Sequence, residues 1–178
     1  MTGPKIIVVM GSRSDMKVMS GATNLLQEWG VSVQTEILSA HRTPDLLEKR
    51  AKMWSESGVK IIIAGAGGAA HLPGMLASFS ILPVIGVPVA SKAINGLDSL
   101  LSIAQMPKGV PVATVGVDNA INAALFALEI LALEVSPFGR KVSQNIRKFR
   151  KGAALQIRND RKKLSNMTVA KFLKMTKK

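Results

Sequence analysis

The chain contains no cysteine and no tyrosine, and only two of its 178 residues are histidines. Without cysteine it can form no disulfide, no thiolate nucleophile and no zinc ribbon. It also lacks an apolar run long enough for a signal-peptide core or a membrane span. We therefore expect a cytoplasmic protein that is not attached to a membrane. Side-chain proton transfer near neutral pH is left chiefly to His41 and His71.

The excess of positive charge is confined to the C-terminal end. Residues 1–138 hold ten Lys or Arg and ten Asp or Glu, whereas residues 139–178 hold fourteen basic residues and one acid, Asp160. We therefore predict a single α/β domain over 1–138 and a basic helical C-terminal extension over 139–178. Such an extension can bind polyanions, form a solvated helix face or complement an acidic patch on a neighbouring subunit. Because it has few aromatic residues for base stacking, we do not expect it to bind nucleic acid.

Strand-like and helix-like segments alternate through the first domain. Strands are predicted at Ile6–Met10, Val31–Leu38, Val59–Ala64, Leu82–Val87 and Val110–Val117, and helices at Asp15–Trp29, Pro44–Ser57, Leu72–Ser80, Leu97–Gln105, Asn119–Val135 and from Lys141 onwards. This alternation predicts a parallel sheet with helices on both faces. The predicted fold is a flavodoxin-like three-layer sandwich with strand order 2-1-3-4-5. The fifth helix is apolar on nearly all sides, which indicates either subunit contacts or a central position under the C-terminal extension.

Three polar or glycine-rich loops follow the first three predicted strands, at Gly11–Asp15, Ser39–Pro44 and Gly65–Gly74. In the predicted strand order, the sheet has its switch point between the first and third strands. The loops should therefore converge on one ligand-binding crevice. The glycine loop is a near match to the dinucleotide fingerprint, but the next acidic residue after Glu56 is Asp98, too far along the chain to bind a ribose.

Each of the first two loops allows a functional and a purely structural interpretation. Backbone amides and serine hydroxyls in Gly11–Asp15 favour an anion, but Ser14 or Asp15 could simply cap the following helix. In the second loop, the planar fork of Arg42 suits a phosphate, and His41 beside it can transfer protons. Alternatively, Ser39 or Thr43 caps the next helix. We do not expect a metal site, because no carboxylate cluster joins the two histidines.

These motifs together resemble the PurE family of purine biosynthesis. The matching segments are GSRSD at 11–15, SAHRTP at 39–44, AGAGGAAHLPG at 64–74, QMP at 105–107 and GVPVAT at 109–114. The resemblance implies an N5-carboxyaminoimidazole ribonucleotide mutase, which moves a carboxylate from the exocyclic nitrogen to ring carbon-4. It also implies a homo-octamer, a ribonucleotide substrate and no metal or cofactor. The segment Val115–Ala120 is shorter, and the basic extension longer, than in many members.

The resemblance implies a role for each matched residue. His41 corresponds to the general acid/base, and His71 belongs to the loop that holds the imidazole and carboxylate. The predicted substrate-binding residues are Ser12, Ser14, Asp15, Ser39, Arg42, Gly65, Ala66, Gly67, Ala70 and Leu72. Two other functions stay open: a related carboxylase that uses free carbon dioxide, and a non-catalytic nucleotide-binding protein with a polyanion-binding tail. Arg42 argues against the carboxylase, because relatives of that type carry lysine after the histidine.

The end of the basic extension should be dispensable for catalysis, since every matched residue lies in the charge-neutral part of the chain. Deleting Asn166–Lys178 should leave the mutase rate within a few-fold of the full-length rate and the oligomer intact, as measured by steady-state kinetics and sedimentation. Loss of activity in a truncated protein that is still folded would show that this segment contributes to the active site.

Overall fold

The computed structural model describes residues 5–91 and 94–176, which divide into two compact units between Ile130 and Leu131. The strands are β1 (Ile6–Met10), β2 (Val33–Ile37), β3 (Ile61–Gly67), β4 (Val84–Val89) and β5 (Ala113–Thr114). The helices are α1 (Met16–Glu28), α2 (Pro44–Glu56), α3 (Leu72–Phe79), α4 (Leu97–Ala104), α5 (Ala120–Leu131), α6 (Pro137–Ser165) and α7 (Val169–Thr176), with a 3-10 turn at Arg13–Asp15.

The five strands form one parallel sheet with the order β2-β1-β3-β4-β5, which confirms the predicted topology. Strand β1 lies between β2 and β3, and all five of its side chains are fully buried. Its run of β-branched residues suits a strand that is covered on both faces. Helices α2, α3 and α4 contribute to the hydrophobic core on one face. Helix α1 packs on the other face, where Met19 fills the space beside Gly65.

Strand β3 is longer than predicted and includes the start of the glycine-rich segment. Gly65, Ala66 and Gly67 pair with Val87, Pro88 and Val89 of β4. Gly67 allows the close approach of the two strands, because a Cβ atom there would lie only 3.2 Å from the carbonyl oxygen of Val89. The predicted loop therefore begins only at Gly68. Glycine has little strand propensity, so its pairing here depends on the neighbouring strands.

The fifth strand and the fifth helix are both shorter than predicted. Strand β5 pairs with β4 only through Ala113 and Thr114. Pro111, two residues before the strand, has no amide to donate and so cannot extend the ladder at that end. Helix α5 ends at Leu131, and the chain then leaves helical geometry so that Ser136 can act as the N-cap of α6. The Ser136 hydroxyl accepts a hydrogen bond from the Gly139 amide at 3.0 Å.

The C-terminal unit contains two helices. Helix α6 begins at Pro137 and not near Lys141, because proline with a serine N-cap before it is a favourable helix start. It extends for 29 residues and carries most of the basic side chains of the extension. Within residues 5–91 and 94–176, none of the helices is both long and apolar enough to cross a membrane. The functional division after Phe138 stays a prediction.

Candidate active site

A crevice of about 510 Å³ lies at the carboxyl ends of the central strands. The predicted loops after β1, β2 and β3 all contribute to its lining, and so does the end of β4. The lining residues are Gly11, Ser12, Ser14, Asp15, Ser39, Ala40, His41, Arg42, Ala66, Gly67, Gly68, Ala69, His71, Leu72, Val89, Ala90 and Ser91. The structure therefore brings the three loops together at the switch point of the sheet.

The loop after β1 is organised around a buried carboxylate. Asp15 is only 6% exposed, and its Oδ2 atom accepts hydrogen bonds from the Ser12 amide at 3.0 Å and the Ser12 hydroxyl at 3.2 Å. Its Oδ1 atom accepts one from the Ser14 hydroxyl at 3.2 Å. The two serine hydroxyls lie 2.6 Å apart. Asp15 therefore fixes the serine loop, so that both hydroxyls lie at the edge of the crevice.

Arg42 joins the loop after β2 to the loop after β1. Its Nε atom donates to the Ser39 hydroxyl at 3.2 Å, and a terminal nitrogen donates to the Gly11 carbonyl oxygen at 3.4 Å. The same serine hydroxyl accepts from the Arg42 amide at 3.3 Å. The guanidinium is exposed, so its remaining donors can meet an anion beside the hydroxyls of the serine loop. Thr43 occupies the N-cap position of α2 but makes no side-chain capping bond.

The two histidines meet inside the crevice although thirty positions separate them in the chain. The Nε2 atom of His41 lies 2.7 Å from the Nδ1 atom of His71, and the rings are nearly perpendicular at 82°. At this distance one nitrogen donates and the other accepts, so the two facing atoms hold one proton between them. His71 precedes α3, and its carbonyl oxygen accepts the Met75 amide at 3.0 Å. The two imidazoles are thus placed to form one hydrogen bond with each other.

Two of the predicted substrate-binding residues lie outside the lining of the crevice. Gly65 faces α1, where a Cβ atom would lie 2.2 Å from the sulfur of Met19. Ala70 is fully buried beneath the loop. Direct contact of these two residues with a ligand therefore stays a prediction. The small size of these residues still serves the site, because it lets α1 and the loop pack closely beneath the crevice.

The end of β4 contributes a wall of the crevice that the sequence motifs do not predict. Val89, Ala90 and Ser91 form this wall, which lies beside Gly67. The signal was present, since small and polar residues follow a buried strand here as they do after the first three strands. It was overlooked because the segment contains no histidine, arginine or glycine cluster.

Among the described residues, no group of three or more His, Asp or Glu side chains is placed to hold a metal ion. The crevice offers instead hydroxyls, a guanidinium, imidazoles and the backbone of small residues. These groups suit an anionic, planar ligand that makes hydrogen bonds along its length.

A family model described as AIR carboxylase matches residues 5–153. The chain belongs to the AIR carboxylase family. The match contains the whole sheet and every residue that lines the crevice, and it ends within α6. Most of the AIR carboxylase segment thus coincides with the N-terminal unit, while residues 154–178 lie beyond it.

Individual members of the AIR carboxylase family are similar over most of this chain. An N5-carboxyaminoimidazole ribonucleotide mutase of Pyrococcus horikoshii is 49% identical over 170 residues, which cover 96% of this chain and 94% of that protein. A phosphoribosylaminoimidazole carboxylase of Saccharomyces cerevisiae is 51% identical over 144 residues, 81% of this chain and 25% of that protein. The crystal structure of Treponema denticola PurE has a TM-score of 0.80 at 28% identity, covering 90% of this chain and 98% of that one.

Proposed function

We propose that this chain is a mutase of de novo purine biosynthesis, which converts N5-carboxyaminoimidazole ribonucleotide to 4-carboxy-5-aminoimidazole ribonucleotide. The observation that carries the proposal is the 2.7 Å contact between His41 and His71. It lies in a crevice lined by serine hydroxyls and an arginine, which are groups that can bind a phosphate. The reaction requires a proton to be delivered to one atom and then removed from another. A pair of imidazoles that shares one proton supplies that chemistry.

In the proposed mechanism, His41 acts first as an acid and then as a base. It protonates the exocyclic nitrogen as the bond from that nitrogen to the carboxylate carbon breaks, which releases carbon dioxide and leaves a neutral amine. Ring carbon-4 then attacks the carbon dioxide to form the new carbon–carbon bond. His41 removes the proton from carbon-4 and is ready for another cycle. His71 orients His41 through their hydrogen bond and lies beside the reacting carboxylate.

The rest of the crevice binds the ribotide and retains the carbon dioxide. Arg42, Ser39, Ser12 and Ser14 bind the phosphate. When the ligand binds, the hydroxyls of Ser12 and Ser14 turn from Asp15 to donate to the phosphate, and the carboxylate of Asp15 accepts from the ribose. The imidazole lies over Ala66 and Gly67 with Leu72 beside them, where small side chains permit a close approach of the ring. A closely packed pocket limits the escape of carbon dioxide before it is attacked.

The alternative activity is carboxylation of the unmodified ribotide by free carbon dioxide. The S. cerevisiae relative is named a carboxylase, so this alternative is concrete. Two assays distinguish the activities. A mutase converts the N5-carboxylated substrate at a rate independent of added bicarbonate, whereas a carboxylase acts on the unmodified ribotide at a rate that rises with bicarbonate. Absence of both activities would favour a non-catalytic nucleotide-binding protein.

We also propose that the enzyme is a homo-octamer. Exposed leucine and isoleucine side chains on α4 and α5 support self-association, since Leu97 is 52%, Leu101 47% and Ile121 49% exposed in the single chain. Large apolar side chains that are exposed on helices of a single chain can be covered by another subunit. Sedimentation equilibrium tests this proposal: the mass of eight chains is expected, and a monomer, dimer or tetramer at micromolar concentration would contradict it.

The proposed reaction places the enzyme in the cytoplasm, with no cofactor. Its substrate carries a phosphate and a carboxylate, and such anions do not cross membranes unaided. The chemistry needs only a proton donor and acceptor, which His41 provides.

Replacing His41 by Asn should reduce the mutase rate by about 10² to 10⁴, because asparagine makes a hydrogen bond but cannot carry a proton. Binding of the product, measured by calorimetry, should largely survive, since the ribotide contacts lie on other residues. The matched variant His71→Asn should lose less rate and more affinity. A His41→Asn enzyme with nearly normal turnover would refute the assignment and transfer the proton-transfer role to His71.

Replacing Arg42 by Ala should raise KM about tenfold to a hundredfold, as expected for loss of charge-assisted hydrogen bonds worth about 1.5–3 kcal/mol. Arg42→Lys should recover only part of the affinity, because an ammonium cannot reproduce the planar fork. Arg13→Ala is the matched control, because Arg13 lies on the loop after β1 but outside the lining of the crevice. An unchanged KM in Arg42→Ala would place the phosphate elsewhere.

A further inference from the structure

The wall at the end of β4 is held in place by a residue that does not itself line the crevice. Strand β4 ends at Val89, and the next amide, that of Ala90, donates to the Oδ1 atom of Asp118 at 2.8 Å. The Asp118 amide in turn donates to the carbonyl oxygen of Pro88 at 2.8 Å. One residue thus forms hydrogen bonds on both sides of Val89.

Asp118 makes these two bonds in an uncommon backbone conformation. Its φ angle is +57°, in the left-handed region that aspartate and asparagine tolerate better than most residues. The edge of β4 needs such a partner, because β5 has only two residues. The Val115 amide still reaches the Gly86 carbonyl oxygen at 3.1 Å, but the ladder ends there. Asp118 therefore extends the pairing of β4 up to the crevice.

The opposite side of the wall is fixed by buried contacts. The hydroxyl of Ser99, which is fully buried, lies 2.9 Å from the carbonyl oxygens of both Val89 and Gly96. Gly96 packs against Ala90, since a Cβ atom on Gly96 would lie 3.2 Å from the Ala90 Cα atom. With Asp118 on one side and Ser99 on the other, the backbone at Val89 and Ala90 has little freedom to shift away from Gly67.

We propose that Asp118 is a positioning residue for the reaction in the crevice. It touches no ligand, and it acts through the Ala90 amide and the Pro88 carbonyl oxygen to set the distance between the β4 wall and the backbone of β3. That distance determines how closely the planar ring and the carbon dioxide are confined. This inference takes the identity of the ligand from the proposed function, and the hydrogen bonds of Asp118 do not depend on that identity.

Two variants distinguish the effect of the Asp118 carboxylate from the effect of its backbone conformation. Asp118→Gly removes the acceptor for the Ala90 amide but adopts positive φ freely. Asp118→Asn keeps an acceptor oxygen and tolerates the same φ. Asn95→Gly is the matched control, because Asn95 is the other non-glycine residue with positive φ in the described part of the chain. Steady-state kinetics, thermal melting and hydrogen exchange at the Ala90 amide are measured for all three variants.

The Asp118→Gly variant should lose about tenfold to a hundredfold in kcat, as expected when reacting groups are misplaced by a fraction of an ångström to one ångström. Its KM should change only a few-fold, because the phosphate and ribose contacts lie on other loops. Exchange of the Ala90 amide should accelerate, while the melting temperature changes little. Asp118→Asn and Asn95→Gly should both stay close to the starting enzyme in kcat.

Three results would overturn the inference: an unchanged kcat in a folded Asp118→Gly protein, an equal loss in Asp118→Asn, or unaltered exchange at Ala90. If the starting enzyme shows no mutase activity, the proposed function fails by itself. The positioning role is then judged by hydrogen exchange at the Ala90 amide with aminoimidazole ribonucleotide bound. That exchange should accelerate in Asp118→Gly and return to the starting rate in Asp118→Asn, and equal rates in the three proteins would refute the role.

Discussion

The parallel pairing of β1 with both of its neighbours is the constraint on which the site depends. Met10, the last residue of β1, is in register with Ile37 at the end of β2 and with Gly65 in β3. Because the three strands run in the same direction, their following loops start at nearly the same level. The chain leaves β1 and β3 toward opposite faces of the sheet, which opens a gap between the loops. Every candidate catalytic or phosphate-binding group lies around that gap.

The crevice combines groups that several hydrogen bonds fix in place with exposed polar side chains. The serine loop is fixed by the buried carboxylate of Asp15, and the β4 wall is fixed by hydrogen bonds to its backbone. Arg42 and the two histidines are exposed. Arg42 donates a hydrogen bond to the loop after β1, and the two histidines are hydrogen-bonded to each other. Such an arrangement can hold the phosphate while a proton moves between an imidazole and the ligand, as the proposed reaction requires.

Much of this arrangement follows from the sequence, and the parts that do not follow share a physical cause. The buried run Ile6–Met10, the strand order and the convergence of three loops are local or topological properties, so periodicity and turn residues predict them. The extent of β3 through Gly67 depends on pairing with β4, which outweighs the low strand propensity of glycine. The contact between His41 and His71, and the bonds of Asp118 to the β4 wall, join segments distant in sequence. No local pattern contains them.

In the proposed reaction the carboxylate moves within the crevice without passing through bulk solution. The most direct test is a single turnover of N5-carboxyaminoimidazole ribonucleotide labelled with ¹³C in its carboxylate, in buffer containing excess unlabelled bicarbonate. Mass spectrometry of the product then reports how much label is retained. The account predicts that nearly all product molecules keep the ¹³C label, because carbon dioxide is attacked before it escapes. Product that carries the isotopic composition of the buffer would contradict it and would indicate a carboxylase that draws on free carbon dioxide.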